Sequence, residues 1–294
     1  MGGSVDSDGN VEIRRSAVGR RRFLVGAGAA AAAVGIAAVD PRAHASSAPA
    51  GSRGSTAGAA ATPGASRAIQ LFATPLQNQF AAWAFEYVAE GADVGEIEAI
   101  ANDMASDDDG AYYDAWYLHA TRHRAKAEEA ERQGKTHTAR YHHLRATVYA
   151  SVSYKLLFGR PVDPRLSTAF ETQMSSFERA MALTAPPAEP MNVTLDGHPL
   201  TVLFLRAAGD DGRHHRPTII TVNGYDASVS DMYLAMGLQA VARGYHVVLV
   251  DGPGQGAPLI RDGVTLIPQW ERVIRAVVDA VVARPDVDRQ RLVL

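Results

Sequence analysis

Two nearly unbroken apolar runs, Pro217-Thr218-Ile219-Ile220-Thr221-Val222 and His246-Val247-Val248-Leu249-Val250, constrain this chain most. Neither alternates polar with apolar, so each is predicted as a strand buried on both faces, the setting of a largely parallel sheet covered by helices. Residues 230–243 between them have helical spacing and stop at Gly244, and residues 270–283 repeat this before Pro285. Arg291-Leu292-Val293-Leu294 begins a third run. Upstream, MNVTL and PLTVLFLRA flank Asp196-Gly197, a hairpin signal. The order hairpin, β, α, β, α, β implies right-handed crossovers and an open α/β sheet over residues 186–294.

Residues 67–185 read differently. Apolar side chains recur there at helical spacing, so this stretch is predicted as an all-α unit. Tyr113, Trp116, Tyr117, Ala120, Ala127 and Ala130 form one stripe; Gly134 breaks it; Ala139, Ala146, Ala150, Ser153 and Leu157 form the next, which reads as a helical hairpin. Asp107-Asp108-Asp109-Gly110 precedes the first stripe, where carboxylates satisfy free N–H groups; the alternating oxygen spacing of a calcium loop is missing.

The first 45 residues resemble a twin-arginine signal peptide. Arg20 and Arg21 precede Phe23 and Leu24, a mild Ala/Gly-rich core follows, and Ala43-His44-Ala45 is a small-x-small cleavage site. The motif implies a twin-arginine translocase as partner, export to an extracellular or periplasmic location, and no stable membrane span after cleavage; an uncleaved anchor is the competing reading. Gly26-Ala27-Gly28-Ala29-Ala30-Ala31 also matches a dinucleotide loop, but three arginines, Arg20, Arg21 and Arg22, stand where a buried strand should precede it. Residues 46–66 have almost no large apolar side chain and read as a disordered linker.

Composition narrows the chemistry. The chain has no cysteine, which excludes disulfides, thiolate metal sites and a cysteine nucleophile. A net charge of −3 without a basic block beyond residue 25 excludes nucleic acid as a partner. His119 and His123 lie four apart on a predicted helix but lack a third ligand, and the adjacent pairs His142-His143 and His214-His215 read as solvent-exposed, so no metal and no cofactor is expected.

Open α/β sheets hold ligands at the carboxyl ends of their strands. Two segments qualify: Asn223-Gly224-Tyr225-Asp226, whose glycine lets the backbone turn and present N–H groups, and Asp251-Gly252-Pro253-Gly254-Gln255-Gly256, a rigid bend. The stretches VNGYDASVSDMYLA and RGYHVVLVDGPGQG, with the spacing to ARPDVDRQRLVL, resemble α/β-hydrolases with an N-terminal helical cap, a family that includes 2,6-dihydroxypseudooxynicotine hydrolase and fungal pigment-pathway polyketide-shortening hydrolases. The resemblance implies an α/β fold, an incomplete hydrolase sheet preceded by an all-α cap, acting on a small-molecule substrate. It implies that Gly224 and Tyr225 form the oxyanion hole through backbone N–H, and that Asp226 stands at an acidic position that is glutamate in some members, where it is tied to cleavage of a carbon–carbon bond beside a ketone. Aspartate is one methylene shorter, and a plainer reading makes Asp226 the acceptor of N–H groups in the turn before the next helix. Asp251, with Gly252, Gly254 and Gly256, reads as a structural loop beside the site.

In that family a G-x-S-x-G-G elbow follows the strand that matches RLVL. Serine, histidine and triad acid are thus expected beyond Leu294, and the chain of 294 residues is expected to be without turnover; a half-made sheet edge would also favour self-association into a homo-oligomer. The alternative is an exported helical-repeat-like binding module with a remnant α/β part. A nucleotide-loop reading of VLVDGPGQG is disfavoured because the motif holds a proline and is not expected to open a helix.

Overall fold

The structure, a computed structural model, describes residues 70–294. The arginine motif (Arg20, Arg21, Phe23, Leu24), the cleavage site and the linker lie outside the described residues.

Five helices come first, and their starts are written locally. Helix α1 (Pro75–Glu86) opens with a reciprocal capping box between Thr74 and Gln77, with proline in the first turn. Asp93 caps α2 (Val94–Asn102). Asp108, within the acidic triplet, caps α3 (Asp109–Arg132): its Oδ1 accepts from the amides of Gly110 at 2.8 Å and Ala111 at 3.0 Å. Gly134, with φ of 69°, turns the chain into α4 (Thr136–Ser153), and Asp163 caps α5 (Pro164–Ala182). The predicted stripes are buried except Tyr117, which is partly covered.

Helix α4 corrects one expectation. His143 is buried, with Nε2 2.6 Å from Glu131 Oε1, and is not a solvent-facing member of a histidine pair. The reason is packing: α4 runs between α3 and α5, and every side chain from His143 to Ser153 is buried, so this stretch has no polar face.

The sheet follows. Short strand β1 (Glu189–Pro190) precedes the hairpin β2 (Thr194–Leu195) and β3 (His198–Pro199), whose turn holds Asp196 at φ 53° and Gly197 at φ 83°. Both central residues are left-handed, as a two-residue hairpin turn requires. The apolar run after the hairpin is divided, with β4 (Thr201–Leu205) leaving β3 to join the main sheet. Next come β5 (Arg216–Val222), α6 (Val229–Met232), one π-helical turn (Tyr233–Gly237), α7 (Leu238–Ala242), β6 (His246–Asp251), α8 (Gly256–Ile260), α9 (Trp270–Val282) and β7 (Val287–Val293).

The main sheet is mixed, with order β1-β4-β6-β5-β7. β5 runs parallel to β6 and β7, and β4 runs antiparallel to β6. Central strand β6 is buried throughout and feeds two cores by simple alternation. Val247 and Leu249 join a core that continues through Tyr233 and Leu234 into the helical layer, to Val148, Trp116 and Phe177. Val248 and Val250 join Val202, Phe204 and Ile220 under Val273, Val277 and Val281 of α9. Each fully buried valine contributes roughly 1.5–3 kcal/mol, which is why a period-2 pattern is absent here: both faces need apolar side chains. At Gly91 an added Cβ would stand 2.6 Å from Val148 Cγ2 and 3.0 Å from Leu234 Cδ1, so glycine permits the approach of helical layer and sheet layer.

Strand β7 departs from expectation. It starts at Val287, not Arg291, with a bulge before Leu292 pairs with Thr218, and Val293 and Leu294 are exposed. Arg216 N–H donates to Asp286 O, so pairing begins ahead of the polar Asp288-Arg289-Gln290-Arg291 stretch. Among the described residues no helix is long and apolar enough to cross a membrane.

Candidate active site at the carboxyl ends of β5 and β6

Residues 223–226 follow β5 and residues 251–256 close β6, so the parallel register, Val222 beside Val250, brings the two predicted segments together. Asn223 Nδ2 donates to Asp251 Oδ1 at 2.5 Å. Gln255 ties the loops a second time: its Nε2 donates to Asn223 O at 2.6 Å, and its Oε1 accepts from Gly252 N at 3.0 Å. Gly224 and Tyr225 form the bend itself, and the Tyr225 side chain is 74% exposed.

Asp251 is fully buried. Burial raises its carboxyl, against the hydrogen bond from Asn223 and the amides of Val229 and Ala257 and together with the nearby Asp231 charge, to about 7. Its Oδ2 lacks a hydrogen-bond partner among the described residues. An added Cβ on Gly256 would lie 2.0 Å from that oxygen, so the glycine leaves the space the carboxylate fills. The loop does open a short helix, α8, contrary to the expectation drawn from its proline; the amide of Ala257 in its first turn bears on Asp251, a carboxylate of the chain itself.

Asp226 is partly buried, and its carboxylate takes no hydrogen bond from the described residues. The turn reading of Asp226 is therefore corrected: Ser228 caps α6, and Asp231 Oδ2 accepts from Ser228 N at 2.8 Å and Ser228 Oγ at 3.0 Å. This capping box sits in the serine- and aspartate-rich SVSD stretch, which is the signal that favours it over Asp226.

The helical layer reaches this site through side chains that no motif marks. Lys155, in the 3-10 turn after α4, donates from Nζ to Asp226 O at 2.5 Å. Gln173 of α5 donates to Ser228 Oγ at 2.9 Å and Ser230 Oγ at 2.8 Å, and accepts from Tyr154 OH at 2.6 Å. These residues look like ordinary members of amphipathic helices in sequence; only the packing of distant segments turns them inward.

Other candidates are placed elsewhere. His119 Nε2 lies 2.9 Å from Asp103, whereas His123 engages Glu96 and His142, so the two histidines do not converge. Among the described residues no group of three or more His, Asp or Glu is arranged to hold a metal ion. One cavity of about 500 Å³ is lined by helical-layer residues including Glu131, His143 and Arg179, and another of about 400 Å³ by Pro253, Pro258 and Val264 beside the hairpin; neither is lined by Gly224, Tyr225 or Asp226. Tyr112, Trp116, Tyr149, Phe170 and Phe177 of the helical layer are fully buried, so they line no exposed groove of the sort a repeat-like binding module would use.

An open mixed sheet with this strand order, two loops joined at its carboxyl ends and a helical region before it defines an α/β-hydrolase-like fold. The crystal structure of 2,6-dihydroxy-pseudo-oxynicotine hydrolase shares it, with a TM-score of 0.61 at 20% identity over 71% of this chain and 56% of that one. By sequence the chain is similar to fungal hydrolases. It is 32% identical over 209 residues to the hydrolase acrC of Aspergillus aculeatus, covering 66% of this chain and 48% of the relative. It is 31% identical over 216 residues to a 20-hydroxy-prefusarin hydrolase of Gibberella moniliformis, covering 70% and 50%. The chain thus spans about half the length of the curated relatives it matches. No family model matches it.

Proposed function

We propose that residues 70–294 supply the helical layer, the oxyanion loop and the first part of the sheet of a serine-type α/β-hydrolase that acts on a small organic molecule at an ester, an amide or a carbon–carbon bond beside a ketone. The observation that carries this reading is the Asn223-Gly224-Tyr225-Asp226 bend, held against Asp251 and Gln255 at the carboxyl ends of adjacent parallel strands. In this reading the backbone N–H of Tyr225 donates to the oxygen on which negative charge develops, and Gly224, where an added Cβ would stand 3.1 Å from Asp226 Oδ1, leaves room in the bend for that carboxylate. The Asp226 carboxylate, free of partners among the described residues, is the group poised to exchange a proton with substrate. Asp251, Gly252, Gly254 and Gly256 hold the neighbouring loop.

The nucleophile and its base are assigned outside residues 1–294, which contain no G-x-S-x-G motif. The polypeptide of these residues alone is proposed to hydrolyse no p-nitrophenyl ester; turnover abolished by a serine-directed phosphonate would overturn this. Reading the coding DNA after codon 294 supplies the second check: a G-x-S-x-G in frame or in a shifted frame supports the assignment, and its absence from the next hundred codons sinks it.

Export through the twin-arginine translocase, with cleavage near Ala45, is part of the same proposal and rests on Arg20, Arg21, Phe23 and Leu24. A reporter fused after residue 45 should be exported, and the double change Arg20→Lys with Arg21→Lys should retain it inside the cell; export that survives the double change would refute the signal.

A further inference from the structure

We propose that Lys155 is the positioning residue of the oxyanion loop, a buried cation through which the helical layer fixes the backbone that follows β5. This rests on the assignment of residues 223–226 as that loop. Lysine is 4% exposed here, on an element 71 residues away in sequence from the carbonyl it binds. A buried ammonium has three donors to satisfy and a large desolvation cost, and such a group persists only where fixed acceptors and opposite charge surround it. The surroundings answer that requirement in part: Asp226 O accepts at 2.5 Å, the rings of Trp83 and Tyr154 lie 4.8 Å and 5.1 Å from Nζ, and the nearby Asp231 and Asp226 carboxylates oppose, without outweighing, the burial that lowers the ammonium's pKa.

The position of the accepted oxygen gives this contact its role. Asp226 O belongs to the peptide group directly after the bend, so anchoring it restricts the backbone torsions of Asp226 and, through them, the direction in which the Tyr225 and Asp226 amides point. The other two ties of the bend, Asn223 Nδ2 to Asp251 and Gln255 to Asn223 O, hold its entrance; Lys155 holds its exit. Gln173 adds support one step further on by binding Ser228 and Ser230 from α5. The helical layer is accordingly a fixed wall of the site and not a detachable cover.

Amide hydrogen exchange on the purified chain tests this without any hydrolysis assay, so its outcome is independent of whether the enzyme assignment holds. Lys155→Met should speed exchange at residues 224–228 by about tenfold or more while α9, packed in the other core, keeps its protection; Lys155→Arg, which keeps charge and donors, should restore most of it. Unchanged exchange at the loop in Lys155→Met, equal loosening of α9, or no rescue by arginine would each overturn the proposal. Should Lys155→Met not fold, the unsubstituted protein decides: a slowly exchanging ε-ammonium resonance that Lys155→Arg removes supports it, and no such resonance near neutral pH at low temperature refutes it.

Discussion

Asn223 and Asp251, 28 residues apart, end two adjacent parallel strands and are joined there by one side-chain hydrogen bond of 2.5 Å. The pair is buried, and the aspartate carries the consequence. Its carboxyl is pushed up to about 7 chiefly by burial, so near neutral pH the folded chain holds a proton that the unfolded chain has released.

Asp251 therefore makes stability fall as pH rises between about 4 and about 7, by an amount of order 3–4 kcal/mol for this group alone. Asp251→Asn removes that titration. In urea unfolding the variant should exceed the unsubstituted chain modestly at pH 5 and by a larger margin at pH 8; equal slopes of stability against pH for the two proteins would contradict the burial argument.

His123 acts in the opposite direction. Glu96 beside Nε2 makes that nitrogen the donor, so Nδ1 accepts from His142 Nδ1–H, 3.0 Å away. Burial lowers His123 to about 4, in part against the Glu96 charge, so between pH 6.5 and 4 only the unfolded chain takes up the proton. Stability should decline as pH falls through this range, and His123→Gln should flatten the decline. Thermal melts from pH 7 to 4.5 are the measurement.

Gln255 serves two buried backbone groups, Gly252 N–H and Asn223 O, at once. Gln255→Ala strands both and should cost about 2–4 kcal/mol. Gln255→Glu keeps the acceptor and loses the donor toward Asn223 O, so it should also destabilise the protein, increasingly as the new carboxyl ionises. Denaturant midpoints at pH 5 and 7 separate these outcomes.

Crowding distinguishes two glycines of the same region. Gly256 would place a Cβ 2.0 Å from Asp251 Oδ2 at φ 38°, whereas Gly263 at φ 67° has nothing within 4 Å. Gly256→Ala should cost more than about 3 kcal/mol, from overlap as well as backbone strain, and Gly263→Ala only about 1–2 kcal/mol from strain. Similar melting temperatures for the two variants would mean that the loop can move away from Asp251.

Local chemistry was legible in the chain itself. Helix starts at Asp108 and the two-residue turn at Asp196-Gly197 are decided within four residues, by a carboxylate beside free amides and by a left-handed pair. Burial of β6 on both faces follows from its unbroken apolar run, as do the crossing helices and the placement of the two loops at the same sheet end; β5, read the same way, is only partly buried, with Ile219 half-covered and Val222 exposed. Strand order and partners were decided elsewhere. The departure of β4 from the hairpin, the early start of β7, the burial of His143 and the reach of Lys155 and Gln173 to residues 226–230 depend on which segments meet after folding. A lysine between Tyr154 and Leu156 carries no mark of its fate, because its environment is made by α1, α4 and the β5–α6 loop together, and that environment exists only once the hydrophobic core has drawn them into contact.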